Sequence, residues 1–290
     1  FLDQLGGGAG DRFVEPPQLG LLRWAREELD GRVRAVRERL LGRDFEGRLA
    51  TVGARYRGGH LGVVDSSWVR RAAMGAAWLH RVHFRATTKG LQRVPSSGCL
   101  LVANHSGQLP FDAAVVAASL LLDAPEPRLL RLVHDRELSP RVTGWLARLG
   151  ALRALLEEVE SLLAAGEVLL VFPEGSRGLT KAFSQRYRLQ PFTEDFVHWA
   201  VRSRAPVVPL SVVGAEEQYL SLGNLKRVAS RLGLPALPVI PQMLMPGGAL
   251  PLPTRYHLEF GEPMQLAPLA ESAEHRAWLV RQMIQHQLSR

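Results

Sequence analysis

The chain has 290 residues, 46% of them hydrophobic, enough to bury a sizeable core, which excludes wholesale disorder. Its formal net charge is +8, from 36 Lys plus Arg against 28 Asp plus Glu, and the excess is nearly all Arg, since Lys occurs only at 89, 181 and 226. A single cysteine, Cys99, excludes a disulfide framework within the chain, and the absence of an apolar run of about 18 residues argues against a membrane-spanning helix. Such a basic surface suits nucleic acid, anionic lipid or a phosphorylated small substrate, and composition does not choose among them. Cys99 reads as a small core residue and points mildly to a reducing compartment. The first residue is Phe rather than Met, which leaves a preceding targeting segment open.

Residues 1–19 are rich in Gly and Pro and read as a loose arm. Residues 20–57 are rich in Arg, Glu and Leu at helical spacing and read as one amphipathic helix or a helix pair. A glycine-rich break at 55–67 follows, with Ser66 or Ser67 as the cap of the next helix. That helix is expected over 68–90: Trp68, Ala72, Ala76, Leu79 and Val82 make an apolar stripe, and Arg70, Arg71, Arg81, His83 and Arg85 supply positive charge. A basic amphipathic helix with Trp suits a membrane interface; the plainer alternative is packing on its own domain.

From residue 91 the pattern alternates. Strands are expected at 98–105, 128–135, 167–175 and 205–214, with helices at 111–123, 140–150, 152–166 and 192–203. A final strand at 255–264 and a terminal helix at 271–290 close the chain. The stretch 220–254 is apolar and proline-rich, suiting either a loop buried on the core or a surface lying on lipid. This order predicts an α/β fold with a mostly parallel or mixed central sheet flanked by helices. The expected division is an N-terminal arm and helical extension over 1–90, then one domain over 91–290. In such sheets reactive groups sit just past the carboxyl ends of strands, where His105, Glu174 and the segment 214–219 all fall.

His105 follows an apolar strand directly, with small Ser106 and Gly107 beside it. Asp112 opens the next helix, past the turn SGQLP, where it is able to fold back onto the imidazole as well as cap the helix. A carboxylate on one ring nitrogen fixes the tautomer and leaves the other nitrogen free to accept a proton. A Ser-His-Asp hydrolase fits poorly, because no G-x-S-x-G pentapeptide occurs and Ser106 is adjacent to His105 itself. In VFPEGSRG (171–178) a strand runs into a turn shaped by Pro173 and Gly175, which presents Glu174, Ser176 and Arg177. The Arg fork suits a phosphate. His134 and Asp135 are adjacent on a strand, point to opposite faces and read as structural. His80 and His83 suit an interface better than a metal, and no metal site is expected.

The pair NHSGQLPFD (104–112) and VFPEGSRG (171–178), followed by APVVPLSVVG (205–214), resembles the glycerolipid acyltransferase superfamily, typified by lysophosphatidate (1-acylglycerol-3-phosphate) acyltransferase. The resemblance covers roughly residues 90–265. It implies that His105 is the base for a glycerol hydroxyl and that Asp112 orients and charge-balances it. It implies an acceptor site at Glu174, Gly175, Ser176 and Arg177, with Arg177 on the phosphate and Arg153 of LGALR as a second arginine. Pro209 would stand near the acyl-donor channel. One departure stands out: the family motif is N-H-x-x-x-x-D, whereas six residues separate His105 from Asp112 here.

The resemblance implies an O-acyltransferase that moves a fatty acyl group from acyl-CoA or acyl carrier protein to a lysophospholipid or glycerol phosphate. No cofactor beyond that co-substrate is expected. An anionic membrane surface is the expected partner, at the cytoplasmic face and without a spanning helix. The alternative is a catalytically weak or inactive lipid-binding or scaffold protein on the same fold. The Arg-rich first 90 residues carry no nucleic-acid motif, so nucleic acid is not an expected partner.

Overall fold

A computed structural model describes residues 17–56, 66–105, 111–134, 144, 147–148, 150–153, 155–179, 181–225, 238–244, 248, 250–267 and 271–289. The turn 106–110, Asp135, most of the helix expected at 140–150 and much of 226–247 lie outside the described residues.

The strands are β1 (Thr87–Lys89), β2 (Cys99–Ala103), β3 (Leu130–His134), β4 (Leu152–Arg153), β5 (Val168–Val171), β6 (Val207–Val213) and β9 (His257–Phe260), with a small pair β7 (Gly223–Asn224) and β8 (Pro238–Val239). The seven long-range strands form one sheet in the order β1-β9-β6-β2-β5-β3-β4. β6, β2, β5, β3 and β4 run parallel; β9 pairs antiparallel with β6. CLLVA of β2 and VLLV of β5 are buried throughout, as apolar runs covered on both faces of a parallel sheet must be. The sheet is therefore mixed α/β, as the alternation of elements predicts.

Helices α4 (Phe111–Leu122), α5 (Leu156–Ala164), α7 (Asp195–Ser203) and α8 (Ala273–Leu288) flank it, with one helical turn, α6 (Ser176–Leu179), after β5. Residues of α4 pack with Leu101, Leu170, Leu210 and Phe260 on one face; those of α5, α7 and α8 pack with Leu100, Leu169 and Val207 on the other. Pro209 is buried in β6, opposite Val102. Its missing N–H is tolerated because the antiparallel ladder ends at Leu210–Phe260, and only its carbonyl is used, by the Gly261 N–H at 2.7 Å.

The helical extension is two helices, α1 (Pro17–Leu41) and α2 (Phe45–Tyr56), separated where Gly42 turns left-handed at φ 87°. α3 (Ser66–Trp78) continues as a π-helical turn to His83. Val69, Ala73, Ala77 and Phe84 are buried, and Ala73 and Ala77 join Leu41, Phe45, Val52 and Leu121 in a third core. The face that packs on its own domain lies one residue round from the expected stripe: Trp68, Ala72, Ala76 and Leu79 are half-buried, and Val82 is exposed together with Arg71, Gly75, Trp78 and Arg85.

Strand pairing moves two of the expected helix boundaries. The helix expected to 90 ends at His83, because Thr87–Lys89 is drawn into the sheet beside β9. The helix expected from 152 begins at 156, because Leu152 and Arg153 pair with Val133 and His134. Among the described residues no helix is long and apolar enough to cross a membrane.

Candidate active site

The carboxyl ends of β2, β5 and β6 meet where His105, Glu174 and Gly214–Glu217 follow them. The His105 Nδ1 lies 2.9 Å from Asp112 Oδ2, so the carboxylate holds the proton on Nδ1 and leaves the lone pair on Nε2. Asp112 is fully buried in the first turn of α4, and its other oxygen accepts the Ala113 N–H at 2.8 Å. The His105 side chain keeps 12% of its surface exposed. The two residues meet in spite of the six-residue interval. The imidazole stacks on Phe172, with ring centres 4.1 Å apart and planes at 17°. Carboxylate and ring together fix the rotation of the imidazole.

Backbone geometry below the imidazole is fixed as tightly. Asn104 is buried and bridges to the neighbouring strand: its Nδ2 donates to Val212 O at 2.9 Å, and its Oδ1 accepts the Val212 N–H at 2.7 Å. Glu174 Oε1 accepts the His105 N–H at 3.0 Å; Oε2 accepts the Gln190 N–H at 2.8 Å and lies 3.2 Å from Lys181 Nζ. Fully buried and engaged by three protein donors, Glu174 braces His105 from inside rather than facing an acceptor, the place expected for it. A carboxylate would also repel a phosphate.

The turn that carries Glu174 needs its glycines. Gly175 has φ 55° and donates to Phe172 O at 2.9 Å. At Gly178 a Cβ would stand 2.9 Å from His105 O and 3.0 Å from His105 Cβ, so only glycine lets this turn lie against the imidazole's backbone. Ser176 opens α6, and Arg177, next to Gly178, is exposed beside the dyad.

Two residues of the expected site lie apart. Arg153 is exposed on β4, three strands from β2, or roughly 14 Å at the usual strand spacing. Pro209, opposite Val102, lies deeper in the sheet than His105.

Sequence reasoning missed Asn104, Phe172, Gly178, Lys181, Tyr187 and Glu216. Lys181 Nζ lies 2.5 Å from Glu216 Oε1, and Glu216 Oε2 accepts the Tyr187 N–H. Tyr187 OH donates to Glu217 at 2.7 Å and accepts the Gly214 N–H at 3.3 Å. Burial pushes the Glu216 carboxyl above the usual range, and Lys181 opposes the rise. The rarity of Lys in an Arg-rich chain was the available signal. On the other flank, Tyr256 stacks on Phe84 and donates to Gln218 at 2.8 Å; burial first, and the Asp112 charge second, hold its phenol protonated. Among the described residues no three His, Cys, Asp or Glu side chains converge as a metal site.

Comparison with known proteins agrees with this architecture. Residues 85–213 match the Acyltransferase family model. "Uncharacterized protein Rv0502" of Mycobacterium tuberculosis is 40% identical over 195 residues, 65% of this chain and 54% of that protein. "Uncharacterized protein ML2427" of Mycobacterium leprae is 42% identical over 187 residues, 62% of this chain and 51% of that one. The chain thus spans about half the length of the curated relatives it matches. Among solved structures, the 1-acyl-sn-glycerophosphate (LPA) acyltransferase PlsC from Thermotoga maritima superposes with a TM-score of 0.52 at 16% identity, covering 88% of this chain and 96% of that one. The mixed α/β sheet and its flanking helices are the fold of that structure, and residues 85–213 are similar to the Acyltransferase family.

Proposed function

We propose that the protein is an O-acyltransferase that transfers a fatty acyl group from an acyl thioester, acyl-CoA or acyl carrier protein, to the hydroxyl of a lysophospholipid or glycerol phosphate. The observation that carries this reading is the imidazole braced at 2.9 Å by a fully buried carboxylate at the end of a central strand. His105 Nε2 takes the proton of the acceptor hydroxyl as its oxygen attacks the thioester carbonyl carbon. The tetrahedral adduct then collapses, the C–S bond breaks, and the leaving thiolate takes the proton back from the imidazolium. An ester and a free thiol result, and the enzyme is regenerated. The thioester supplies the driving force, so a base and positioning suffice. In this reading Arg177, exposed on the turn that follows Glu174, binds the acceptor phosphate, and Arg153, three strands away, serves only an extended head group.

The same reading puts the enzyme on an anionic membrane, at its cytoplasmic face. Trp78 and Val82 are exposed, as are Leu222, Leu244 and Leu250. His83 Nε2 contacts Pro251 O at 3.0 Å and Arg85 donates to Pro253 O at 3.0 Å, which joins the outer side of α3 to the loop before β9. Thr254 in turn donates to Gly214 O, so this apolar and basic surface adjoins the end of β6. It suits lipid substrates that arrive from a bilayer.

The test is turnover of labelled acyl-CoA with a panel of lysolipids in mixed micelles, read by mass spectrometry. Wild type is expected to acylate at least one acceptor, and His105→Ala to lose about 10²–10⁴-fold in rate while keeping its circular dichroism spectrum. A folded His105→Ala protein with wild-type turnover would remove the imidazole from the mechanism.

A further inference from the structure

We propose that Lys181 and Glu216 are positioning residues of the site, acting on His105 through Glu174; the assignment rests on the acyl-transfer reading above. The Lys181 ammonium touches both carboxylates, 3.2 Å from Glu174 Oε2 and 2.5 Å from Glu216 Oε1. Lys181 and Glu216 side chains are 5% exposed and Glu174 is 0% exposed. Each carboxylate is also fixed at a second point: Glu174 by the N–H groups of His105 and Gln190, Glu216 by that of Tyr187. A continuous path of contacts therefore runs from the segment after β6, through Glu216, Lys181 and Glu174, to the backbone of His105 after β2.

This arrangement is a poor device for stability alone. Three desolvated charges cost several kcal/mol each before their mutual attraction offsets the loss, and apolar side chains of equal volume often serve as well. What the charges provide is direction. The Glu174 carboxyl accepts on both oxygens: one takes the His105 N–H, and the other takes the Gln190 N–H and faces the Lys181 ammonium. The Lys181 ammonium, 3.2 Å from Oε2, holds that oxygen from the side away from His105. Lys suits this place better than Arg because its compact ammonium fits between two carboxylates. The net result sets the height of His105 in the cleft, while Asp112 and Phe172 set its rotation.

The experiment compares Lys181→Met, Glu174→Gln and the double variant in the full chain. Steady-state turnover of acyl-CoA with a lysolipid that the wild-type protein acylates is measured alongside the 15N-histidine NMR signal of the His105 Nδ1 proton. Lys181→Met is expected to lower kcat about 100-fold with KM for acyl-CoA within about twofold, the signature of a misplaced reacting group. The double variant is expected to be no slower than Glu174→Gln, because Lys181 acts through Glu174. The Nδ1 proton is expected to broaden into solvent exchange in each variant. Where Lys181→Met does not fold, Lys181→Met/Glu216→Gln removes the cation together with one of its anions and takes its place. Folded variants with wild-type kcat and an unchanged Nδ1 signal overturn the proposal, and so do losses that simply add. If wild type acylates nothing, the acyl-transfer reading falls, and the Nδ1 signal alone still decides whether Lys181 positions His105.

Discussion

Asn104 shows how much one side chain contributes to the site's frame. It stands at the last buried position before His105 and replaces a ladder interaction with a two-point amide clamp on Val212. Removing it leaves a buried N–H and a buried C=O without their partners, and each such group costs about 1–3 kcal/mol. Asn104→Leu is expected to destabilise the protein by about 2–4 kcal/mol in urea unfolding, with an unchanged m-value. Cys99 behaves in the opposite way. Burial pushes its thiol up to about 12, so it has almost no thiolate at neutral pH and serves as core.

Among the elements, the turn after β5 and the helical turn α6 that follows it constrain the site closely. Gly178 lies against His105 and Glu174, and an added methyl would meet His105 O at 2.9 Å and Glu174 Cβ at 3.1 Å. The backbone oxygen has little room to retreat, so the methyl displaces the imidazole's own residue. Gly178→Ala is expected to reduce turnover by roughly tenfold or more, with a far smaller effect on Tm. Gly75→Ala is the control. It lies on the exposed side of α3, its added methyl meets nothing within 4 Å, and Ala is favoured over Gly in a helix by about 1 kcal/mol. That variant is expected to gain stability, measured by thermal unfolding, and to keep full turnover. The same scale explains the misplaced boundary at Arg153. LRALLEEVESLLAAG reads as one amphipathic helix, but pairing with β3 draws its first two residues into the sheet.

For the whole molecule, the extension α1–α3 is attached to the domain through the core around Leu41, Phe45, Ala77 and Leu121. His80 is buried at this seam, 3.5 Å from Asp123 at the end of α4, with Arg81 bound to the same carboxylate at 2.8 Å. Burial lowers the His80 pKa below its ordinary 6.5, with Asp123 opposing and Arg81 adding to the fall. The folded state therefore favours the neutral ring. The stability this gives is present above pH 6.5 and is lost as the pH falls from there through the lowered folded value. Thermal unfolding is expected to show a drop in Tm from pH 7.5 to 5.5 that is smaller in His80→Gln. An equal drop in both proteins would place the acid sensitivity elsewhere.

By itself the sequence determined the alternation of strands and helices, the residues at the ends of β2 and β5, and the pair His105 and Asp112. These are local properties: buried parallel strands are continuous apolar runs, helices repeat every turn, and a motif's residues are neighbours in the chain. Tertiary structure alone decided the rest. Asn104 finds Val212 across 108 positions, Glu174 finds the His105 N–H across 69, and Lys181 finds Glu216 across 35. No local pattern encodes such contacts, because they exist only once three strand ends have been brought side by side. The fold likewise decided which face of α3 is core, since an apolar stripe on a basic helix suits a protein surface as well as a lipid one. It turned Glu174 inward, where burial and three donors make a carboxylate a brace rather than a ligand for phosphate.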